Sequence, residues 1–322
     1  MAPAATPNER AHAISRALAL LRAGEVVALP TETVYGLAAD ALSLEAVAKI
    51  FETKERPRFD PLIVHLPDFS WLPRVATTSA LVEKLTENFW PGPLTILLPK
   101  TSLIPEIVTA GLTTVAVRMS AHPIFSEIVR DLDRPLAAPS ANRFGRISPT
   151  MAEHVFEELA GRIPLIVDGG ATEHGVESTI VRPEKNGMII MRAGPITREQ
   201  LAEFGEIHRV AGNALRPEAP GQLPSHYAPR TPLLLADDVA QITVPNEKRY
   251  GALLWSSEDA PRDFVAKRRL SATRNLREAA ANLFRVLREL DGAGLDLIVA
   301  EAVPEIGLGM AIMDRLRRAA HR

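Results

Sequence analysis

Residues 30–41 read PTETVYGLAADA and follow an apolar segment, Val26–Leu29, that predicts a strand. The run places two threonines, a glutamate, a tyrosine and a glycine where the chain must turn, whereas a plain connection needs only Gly, Pro, Asn or Asp. Open α/β sheets bind their ligands at strand ends of this kind. The run therefore predicts a binding site in an α/β fold, and Ser43 is expected to cap the helix that follows.

The composition is that of a large globular protein without a strong charge bias. With 322 residues, 46% of them apolar, the chain can bury more than one hydrophobic core. Its 37 Lys and Arg residues are balanced by 39 Asp and Glu residues, which argues against a broadly basic nucleic-acid binder. The absence of cysteine excludes disulfides, thiolate nucleophiles and zinc–cysteine sites. Because we find neither a signal-peptide pattern nor an apolar run of about 18 residues, we expect a cytoplasmic protein without a membrane segment.

Strand patterns recur through the first two thirds of the chain, and helical patterns separate several of them. The predicted strands are Val26–Leu29, Leu62–Leu66, Leu94–Leu98, Thr114–Met119, Leu136–Ala138, Leu165–Val167, Ser178–Val181 and Met188–Met191. The predicted helices between them are Ser43–Thr53, Ser79–Asn88, Ile124–Leu132 and Met151–Leu159. Some neighbouring strands are too close for a helical crossover and must pair antiparallel. We expect residues 1–205 to form an α/β domain with an open, twisted, mixed sheet.

The last third of the chain differs in its proline content and in its pattern of apolar residues. Prolines interrupt every periodic pattern in residues 206–231, which we interpret as a linker. Short apolar strands then alternate with two amphipathic helices over residues 232–322. This alternation predicts a small Rossmann-like α/β domain.

A cationic loop precedes the predicted strand Leu62–Leu66. Residues 54–62 read KERPRFDPL and place Lys54, Arg56 and Arg58 within five positions. Such side chains bind phosphate oxygens, although for the triplet alone an exposed charged loop is the favoured interpretation. A working anion site needs several converging cations, and the further candidates are Arg118, Arg143, Arg146 and Arg192.

A second connection rich in hydroxyl and basic residues spans residues 139–150, PSANRFGRISPT. Ser148 and Pro149 together predict a helix start, which is also a potential anion site. An ordinary helix cap explains Ser148 alone, but it does not explain Ser140 and Asn142 in the same connection. His65 interrupts an apolar strand, so a satisfied core histidine and a ligand contact are both open interpretations.

Read in order, these blocks resemble the L-threonylcarbamoyl-AMP synthase family of YrdC-like proteins, in its longer two-domain form. The chain lacks the Walker A, HExxH and G-x-S-x-G patterns of other enzyme classes. The matching stretches are PTETVYGLAADA, KERPRFDPLIVHL, WPGPLTILL, VAVRMSAHP, APSANRFGRISPT, GVESTIV, MRAGPIT, PGQLPSHYAPRTP and GLGMAIMDRL.

The resemblance implies an enzyme that forms threonylcarbamoyl-AMP and pyrophosphate from ATP, L-threonine and bicarbonate, with Mg²⁺. Other proteins then transfer the threonylcarbamoyl group to tRNA beside the anticodon. These transfer proteins are expected partners, and direct contact with tRNA is a further possibility. The alternative from another class is a double-stranded RNA-binding module without catalysis, which the near-neutral charge disfavours.

The resemblance also implies site residues, but no Mg²⁺ ligand. It assigns L-threonine binding to Thr33, His65, Arg118, Ala138 and Ser178, with Arg118 pairing with the threonine carboxylate. It assigns ATP binding to Lys54, Arg56, Asp60, Thr114, Ser140, Ser148, Arg192 and Tyr227, with Tyr227 in a linker that closes over ATP. The chain departs from the family at Ser120, where proline is common, and at Ala38, where glycine is common. Whether Tyr35 packs beneath the site or touches the ligand stays open.

Overall fold

The computed structural model of this chain describes residues 1–208, 218–223, 226–243, 248–256 and 263–321. These residues divide into two compact units. The first unit consists of Met1–Phe144, Pro149–Glu173 and Glu177–Gln222. The second unit consists of Gly145–Ser148, His174–Val176 and Leu223–Arg322. Among the described residues, no helix is both long enough and apolar enough to cross a membrane.

The first unit alternates short strands with helices. Its strands are β1 (Ala2–Pro3), β2 (Val27–Leu29), β3 (Gly36–Asp40), β4 (Ile63–His65), β5 (Leu94–Pro99), β6 (Thr114–Arg118), β7 (Leu136–Ala137), β8 (Val167–Asp168), β9 (Thr179–Glu184), β10 (Gly187–Arg192) and β11 (Glu206–His208). Its helices are α1 (Pro7–Arg22), α2 (Leu44–Lys54), α3 (Leu72–Val75), α4 (Ala80–Phe89), α5 (Glu106–Thr109), α6 (Pro123–Leu132), α7 (Ala152–Leu159) and α8 (Arg198–Ala202).

Nine of these strands form one open mixed sheet in the order β11-β10-β9-β5-β6-β4-β7-β3-β2. The pairs β4–β6, β5–β9 and β10–β11 are parallel, and the remaining pairs are antiparallel. Strands β1 and β8 form a separate parallel pair. This architecture confirms the predicted fold class.

The two faces of the large sheet are covered differently. Helices α2, α4 and α7 contribute to the main hydrophobic core on one face. On the other face, α1 and α6 pack over β2, β3 and β7. The strands β4, β6, β5, β9 and β10 continue this second face, and their small apolar cluster receives no helical residue among those described. We call this part of the sheet the helix-free face.

The second unit is a small parallel α/β structure. Its strands are β12 (Leu233–Ala236), β13 (Tyr250–Leu254), β14 (Phe264–Arg269) and β15 (Leu297–Glu301), and its helices are α9 (Leu276–Asp291) and α10 (Gly309–Ala320). The strands pair in parallel in the order β12-β15-β13-β14. This parallel α/β arrangement confirms the predicted Rossmann-like class.

Three local expectations were wrong. The predicted turn contains β3, whose Gly36–Asp40 backbone pairs with β2, although alanine and glycine rarely signal a strand. Ser148 does not cap α7, because the backbone is still extended at Met151 (φ −145°, ψ 159°) and the helix begins only at Ala152. The segment predicted as a loop from residue 206 begins with β11, and residues 209–217 lie outside the described part. Ser43, in contrast, caps α2 as predicted.

We expect Gly187→Ala to destabilise the first unit. A Cβ atom at Gly187 would lie 2.1 Å from the carbonyl oxygen of Glu206, so β11 would have to shift. Overpacking of this kind costs about 1–3 kcal/mol. Gly292→Ala is the matched control, since its Cβ would meet no atom closer than 3.5 Å. Thermal unfolding of the two variants measures the difference, and an unchanged melting temperature for Gly187→Ala would contradict the packing.

Candidate active site

The opening run forms a turn that its own hydroxyl groups hold in place. Thr31 Oγ1 donates to the carbonyl of Val34 at 2.6 Å and accepts from the amides of Thr33 and Val34 at 3.1 and 3.2 Å. Such a side-chain turn substitutes for a backbone turn. It leaves the Thr33 hydroxyl 2.9 Å from that of Thr31. The threonines of this motif therefore shape the turn and present one hydroxyl to the neighbouring strands.

Tyr35 lies beneath the turn and is fully buried. Its hydroxyl donates to the carbonyl of Gly170 at 2.7 Å and accepts from the amide of Gly169 at 3.2 Å. Burial raises the pKa of this phenol. Tyr35 therefore joins the turn to the loop at Gly169 and Gly170, which answers the question that the sequence left open.

Arg118, at the end of β6, holds three segments together. Its Nη2 lies 2.7 Å from Oε1 of Glu32, and its Nη1 donates to Thr33 Oγ1 at 3.0 Å. Its Nε donates to the carbonyl of Gly92 at 3.2 Å. The second carboxylate oxygen of Glu32 accepts from Ser120 Oγ at 2.5 Å. All four side chains of this group are buried.

The ion pair changes the protonation behaviour of Glu32. Burial alone would raise the pKa of a carboxyl group. The charge of Arg118, with hydrogen bonds from Ser120 and Arg118, outweighs burial and lowers the pKa of Glu32 from its ordinary 4.5 to about 2. Glu32 is therefore a carboxylate at neutral pH, and Arg118 is charge-compensated before any ligand binds.

His65 ends β4 beside Arg118 in the parallel β4–β6 register. It is 2% exposed, and its ring packs 4.6 Å from that of Phe125. Burial, together with the charge of Arg118, lowers the pKa of His65 from 6.5 to about 3. Its Nδ1 has no hydrogen-bond partner within the described ranges. A neutral imidazole with a free nitrogen is suited to a polar ligand atom.

Ser178 and Arg192 form a second polar group on the helix-free face. Ser178 Oγ lies 2.7 Å from Thr95 Oγ1 and accepts from Nη2 of Arg192 at 3.0 Å. The Nε of Arg192 donates to the Ser178 carbonyl at 3.0 Å, and its Nη1 donates to the Pro220 carbonyl at 3.3 Å. All three side chains are buried. Arg192 therefore ties β10 to the segment before β9.

Lys54 is fixed at the end of α2, with 1% of its side chain exposed. Its Nζ donates to the carbonyls of Ser140 and Asn142 at 2.6 and 2.5 Å. Burial, followed by the charge of Arg56, lowers the pKa of Lys54 well below that of an exposed lysine. Two of its three donors thus shape the loop that carries Ser140.

Arg56 and Asp60 form the third charged group. Their side chains pair at 2.8 Å, and Nη2 of Arg56 also donates to the carbonyl of Pro61 at 2.8 Å. Burial raises the pKa of Asp60, against the charges of Arg56, Lys54 and Arg192. Because the charge of Arg192 reaches Asp60, the second and third groups belong to one electrostatic environment.

Ala138 and Thr114 complete the predicted residues of the first unit. The amide of Ala138 donates to the carbonyl of Ile63 at 3.0 Å, next to the bridge between Ser140 and Gly36. Thr114 begins β6, at the end of the strand away from Arg118. There it lines a cavity of about 670 Å³ together with Leu97 and Arg182, among others.

Other sequence candidates lie elsewhere. Arg143 forms an ion pair with Glu55 at the surface, at 2.7 Å. Ser148 and Tyr227 belong to the second unit, where both are buried.

Three residues of these polar groups have no role assigned by the resemblance: Thr95, Ser120 and Glu32. Thr95 interrupts an apolar strand in the same way as His65, so the same signal was available for it. Ser120 was noted only as a departure from proline, yet its hydroxyl donates to Glu32. Glu32, to which the resemblance assigned no role, pairs with Arg118 directly.

The arrangement is suited to binding anions. Three buried arginines, Arg56, Arg118 and Arg192, bring positive charge to this part of the unit, where Asp60 pairs with Arg56 and Glu32 with Arg118. Within the described part of the chain, no three His, Cys, Asp or Glu residues lie together as metal ligands. Preorganised cations of this kind stabilise charge that develops on phosphate or carboxylate groups.

Two family models match consecutive parts of the chain. A model described as "Telomere recombination" matches residues 19–194. A second model, described as "Threonylcarbamoyl-AMP synthase, C-terminal domain", matches residues 196–321.

Relatives with known names cover nearly the whole chain. A Pyrococcus abyssi protein named threonylcarbamoyl-AMP synthase is 41% identical over 94% of this chain and 93% of its own length. A Bacillus subtilis protein of the same name is 43% identical over 95% of this chain and 92% of its own. The crystal structure of P. abyssi Sua5 complexed with L-threonine matches with a TM-score of 0.87 and 39% identity, covering 95% of this chain and 94% of that one.

We expect Glu32→Gln to destabilise the protein by about 3–5 kcal/mol, because breaking a buried ion pair leaves Arg118 uncompensated. The folded-state pKa of Glu32 is depressed, so its stabilising contribution is complete above pH 4.5 and is lost as pH falls toward 2. The difference in unfolding free energy between wild type and Glu32→Gln should shrink over that range. Exposed Glu52→Gln is the control, and urea unfolding at several pH values is the measurement. A constant difference across the range would contradict the ion pair.

We expect the His65 imidazole to stay neutral at every pH compatible with activity. Its folded-state pKa is about 3, against 6.5 for an ordinary histidine. Below pH 6.5 only the unfolded chain takes up this proton, so the contribution of His65 to stability is lost as pH falls from 6.5 toward 3. NMR of the ring carbon-bound protons should give constant shifts between pH 5 and 8. A titration midpoint above pH 5 would show that the ring is not buried as described.

Proposed function

The chain belongs to the threonylcarbamoyl-AMP synthase family, and from this premise we propose that it forms threonylcarbamoyl-AMP and pyrophosphate from ATP, L-threonine and bicarbonate. One structural observation supports the proposal independently of the family name. Two buried arginines, Arg118 and Arg192, bind the buried hydroxyls of Thr33 and Ser178 beside the small apolar cluster of the helix-free face. Such a face suits a polyanion, an amino-acid carboxylate and a carbonate-derived anion held close together.

The proposed chemistry needs positioning and charge stabilisation. The amine of threonine attacks bicarbonate-derived carbon dioxide and loses a proton, which gives a carbamate. A carbamate oxygen then attacks the α-phosphorus of ATP in line, and the bond to the β-phosphate oxygen breaks to release pyrophosphate. Holding such reactants in a productive geometry supplies about 7–11 kcal/mol of the barrier. Fixed arginines stabilise the charge of the leaving group.

We assign the threonine subsite to Thr33, His65, Arg118, Ala138 and Ser178. In this assignment the threonine carboxylate binds the guanidinium of Arg118, three of whose N–H donors already have partners. Glu32 keeps that guanidinium in place. The neutral imidazole of His65 accepts or donates a hydrogen bond without repelling the ammonium group.

We assign the nucleotide subsite to Arg56, Asp60, Thr114, Ser140 and Arg192. Arg56 and Arg192 supply charge to the phosphates, and the apolar cluster between Arg192 and Thr114 offers a surface for the nucleoside. Lys54 contributes chiefly by holding the carbonyl of Ser140, because most of its donors are already engaged. Ser148 and Tyr227 keep the ATP-binding roles that the family resemblance implies.

Mg²⁺ enters this proposal as part of the ATP substrate. Mg²⁺ is usually held by one or two carboxylates together with substrate phosphates, and it keeps several waters. Asp60 is the carboxylate assigned to the nucleotide subsite, but it already pairs with Arg56. We therefore assign no protein ligand to the ion.

The product requires proteins that transfer the threonylcarbamoyl group to tRNA, and we propose these as partners in the cytoplasm. Direct tRNA binding is not needed for the synthesis itself. An RNA-binding module without catalysis remains the competing function, and its affinity for tRNA would fall steeply with salt.

The test is pyrophosphate release from ATP, with threonine and bicarbonate omitted in turn. We expect release to require both, since the carbamate is the nucleophile. Release that is indifferent to threonine would contradict the proposal, and salt-steep tRNA binding without any release would favour the RNA-binding alternative.

The same assay tests the site. We expect Arg56→Ala and Arg118→Ala each to lower turnover at least a hundredfold, because each removes a fixed charge from the reacting groups. Arg143→Ala is the matched control, since that arginine pairs with Glu55 on the surface. Thermal unfolding separates loss of activity from loss of fold.

A further inference from the structure

Arg315 is a fully buried arginine in α10; it lies in the matching stretch GLGMAIMDRL, but the resemblance assigned it no role. Its guanidinium carbon lies 5.3 Å from the ring centroid of Tyr227, within the same unit. Its Nη1 pairs with Oδ2 of the preceding residue, Asp314, at 2.9 Å. Buried arginines are rare unless they are paired, and a desolvated cation over an aromatic ring is strongly attracted to it.

Tyr227 has a backbone conformation that bulky residues seldom adopt. Its φ angle is +62°, in the left-handed region, although the side chain is only 1% exposed. Such a conformation persists only when the surroundings determine it. The ring stacks on Phe284 at 5.5 Å and 26°, and His226 lies edge-on to it at 4.1 Å. Arg315 adds the charged contact to this group of rings.

A second arginine of α10 holds the chain just before Tyr227. Nη1 of Arg318 donates to the carbonyl of Leu223 at 2.6 Å, and its Nε pairs with Oδ1 of Asp314 at 2.9 Å. Asp314 thus orients both arginines. Arg318 is directed toward the carbonyl of Leu223, and Arg315 toward the ring of Tyr227. After Tyr227, the amide of Ala228 donates to the carbonyl of Gly145 at 2.9 Å.

We propose that Arg315 is a positioning residue that fixes the left-handed conformation of Tyr227, and that α10 is the anchor of the linker. The consequence for ATP rests on the proposed function, in which Tyr227 contacts the nucleotide. Arginine suits the role because its planar guanidinium stacks on a ring and keeps its charge when buried, whereas a buried lysine loses its proton readily.

The anchoring is tested by hydrogen exchange, which does not depend on activity. In Arg315→Met we expect the amide of Ala228 to exchange about thirtyfold faster, the factor that loss of a desolvated cation–π contact implies. Arg315→Lys should give a smaller increase. Arg317→Met is the matched control, because Arg317 lies on the same helix with 52% of its side chain exposed and pairs with Glu305. Unchanged exchange in Arg315→Met would overturn the proposal.

The effect on ATP is tested by a double-mutant cycle in the pyrophosphate assay. We expect Arg315→Met to raise KM for ATP about tenfold while KM for threonine stays within twofold, and to add nothing in a Tyr227→Ala background. Additive effects, or an equal rise in both KM values, would overturn the positioning role. If Arg315→Met fails to fold, Arg315→Lys and Arg318→Gln carry the same cycle. A wild-type protein without threonine-dependent release would refute the proposed function, while the exchange result would still decide the anchoring.

Discussion

The buried ion pair between Glu32 and Arg118 is the interaction on which the site depends. Both charges are removed from water, so each requires the other and the hydrogen bonds around them. Arg118 also binds Thr33 and the carbonyl of Gly92, and Ser120 satisfies the second oxygen of Glu32. One guanidinium thus joins the opening turn, the approach to β5 and the end of β6. Its orientation is fixed before any ligand arrives, which is what preorganised charge stabilisation requires.

The period-two alternation of the strands explains why the site occupies a face rather than a loop. On β6, Val115 and Val117 enter the main core, while Ala116 points to the opposite side with Thr114 and Arg118. His65, on the adjacent strand β4, and Ser178, just before β9, share that side. Helices cover one part of this face and leave the rest to a small apolar cluster, so polar groups at its border can act on a ligand that lies across it.

Much of this could be predicted from the sequence, and the failures have physical causes. Apolar periodicity located most strands, and a polar residue in an apolar strand singled out His65. The strand β3 was missed because its Gly-Leu-Ala-Ala-Asp sequence has little strand propensity and forms only through pairing with its neighbours. The partners of Lys54 could not be predicted, since they are backbone carbonyls brought close by the fold. The role of Arg315 likewise depends on a ring 88 positions earlier in the sequence.

A crystal structure determined with and without L-threonine tests the central claim most directly. The account predicts that the threonine carboxylate binds Arg118 and that the Glu32–Arg118 pair keeps its 2.7 Å separation in both states. Threonine bound away from Arg118, or an arginine that leaves Glu32 to reach the ligand, would contradict a preorganised site.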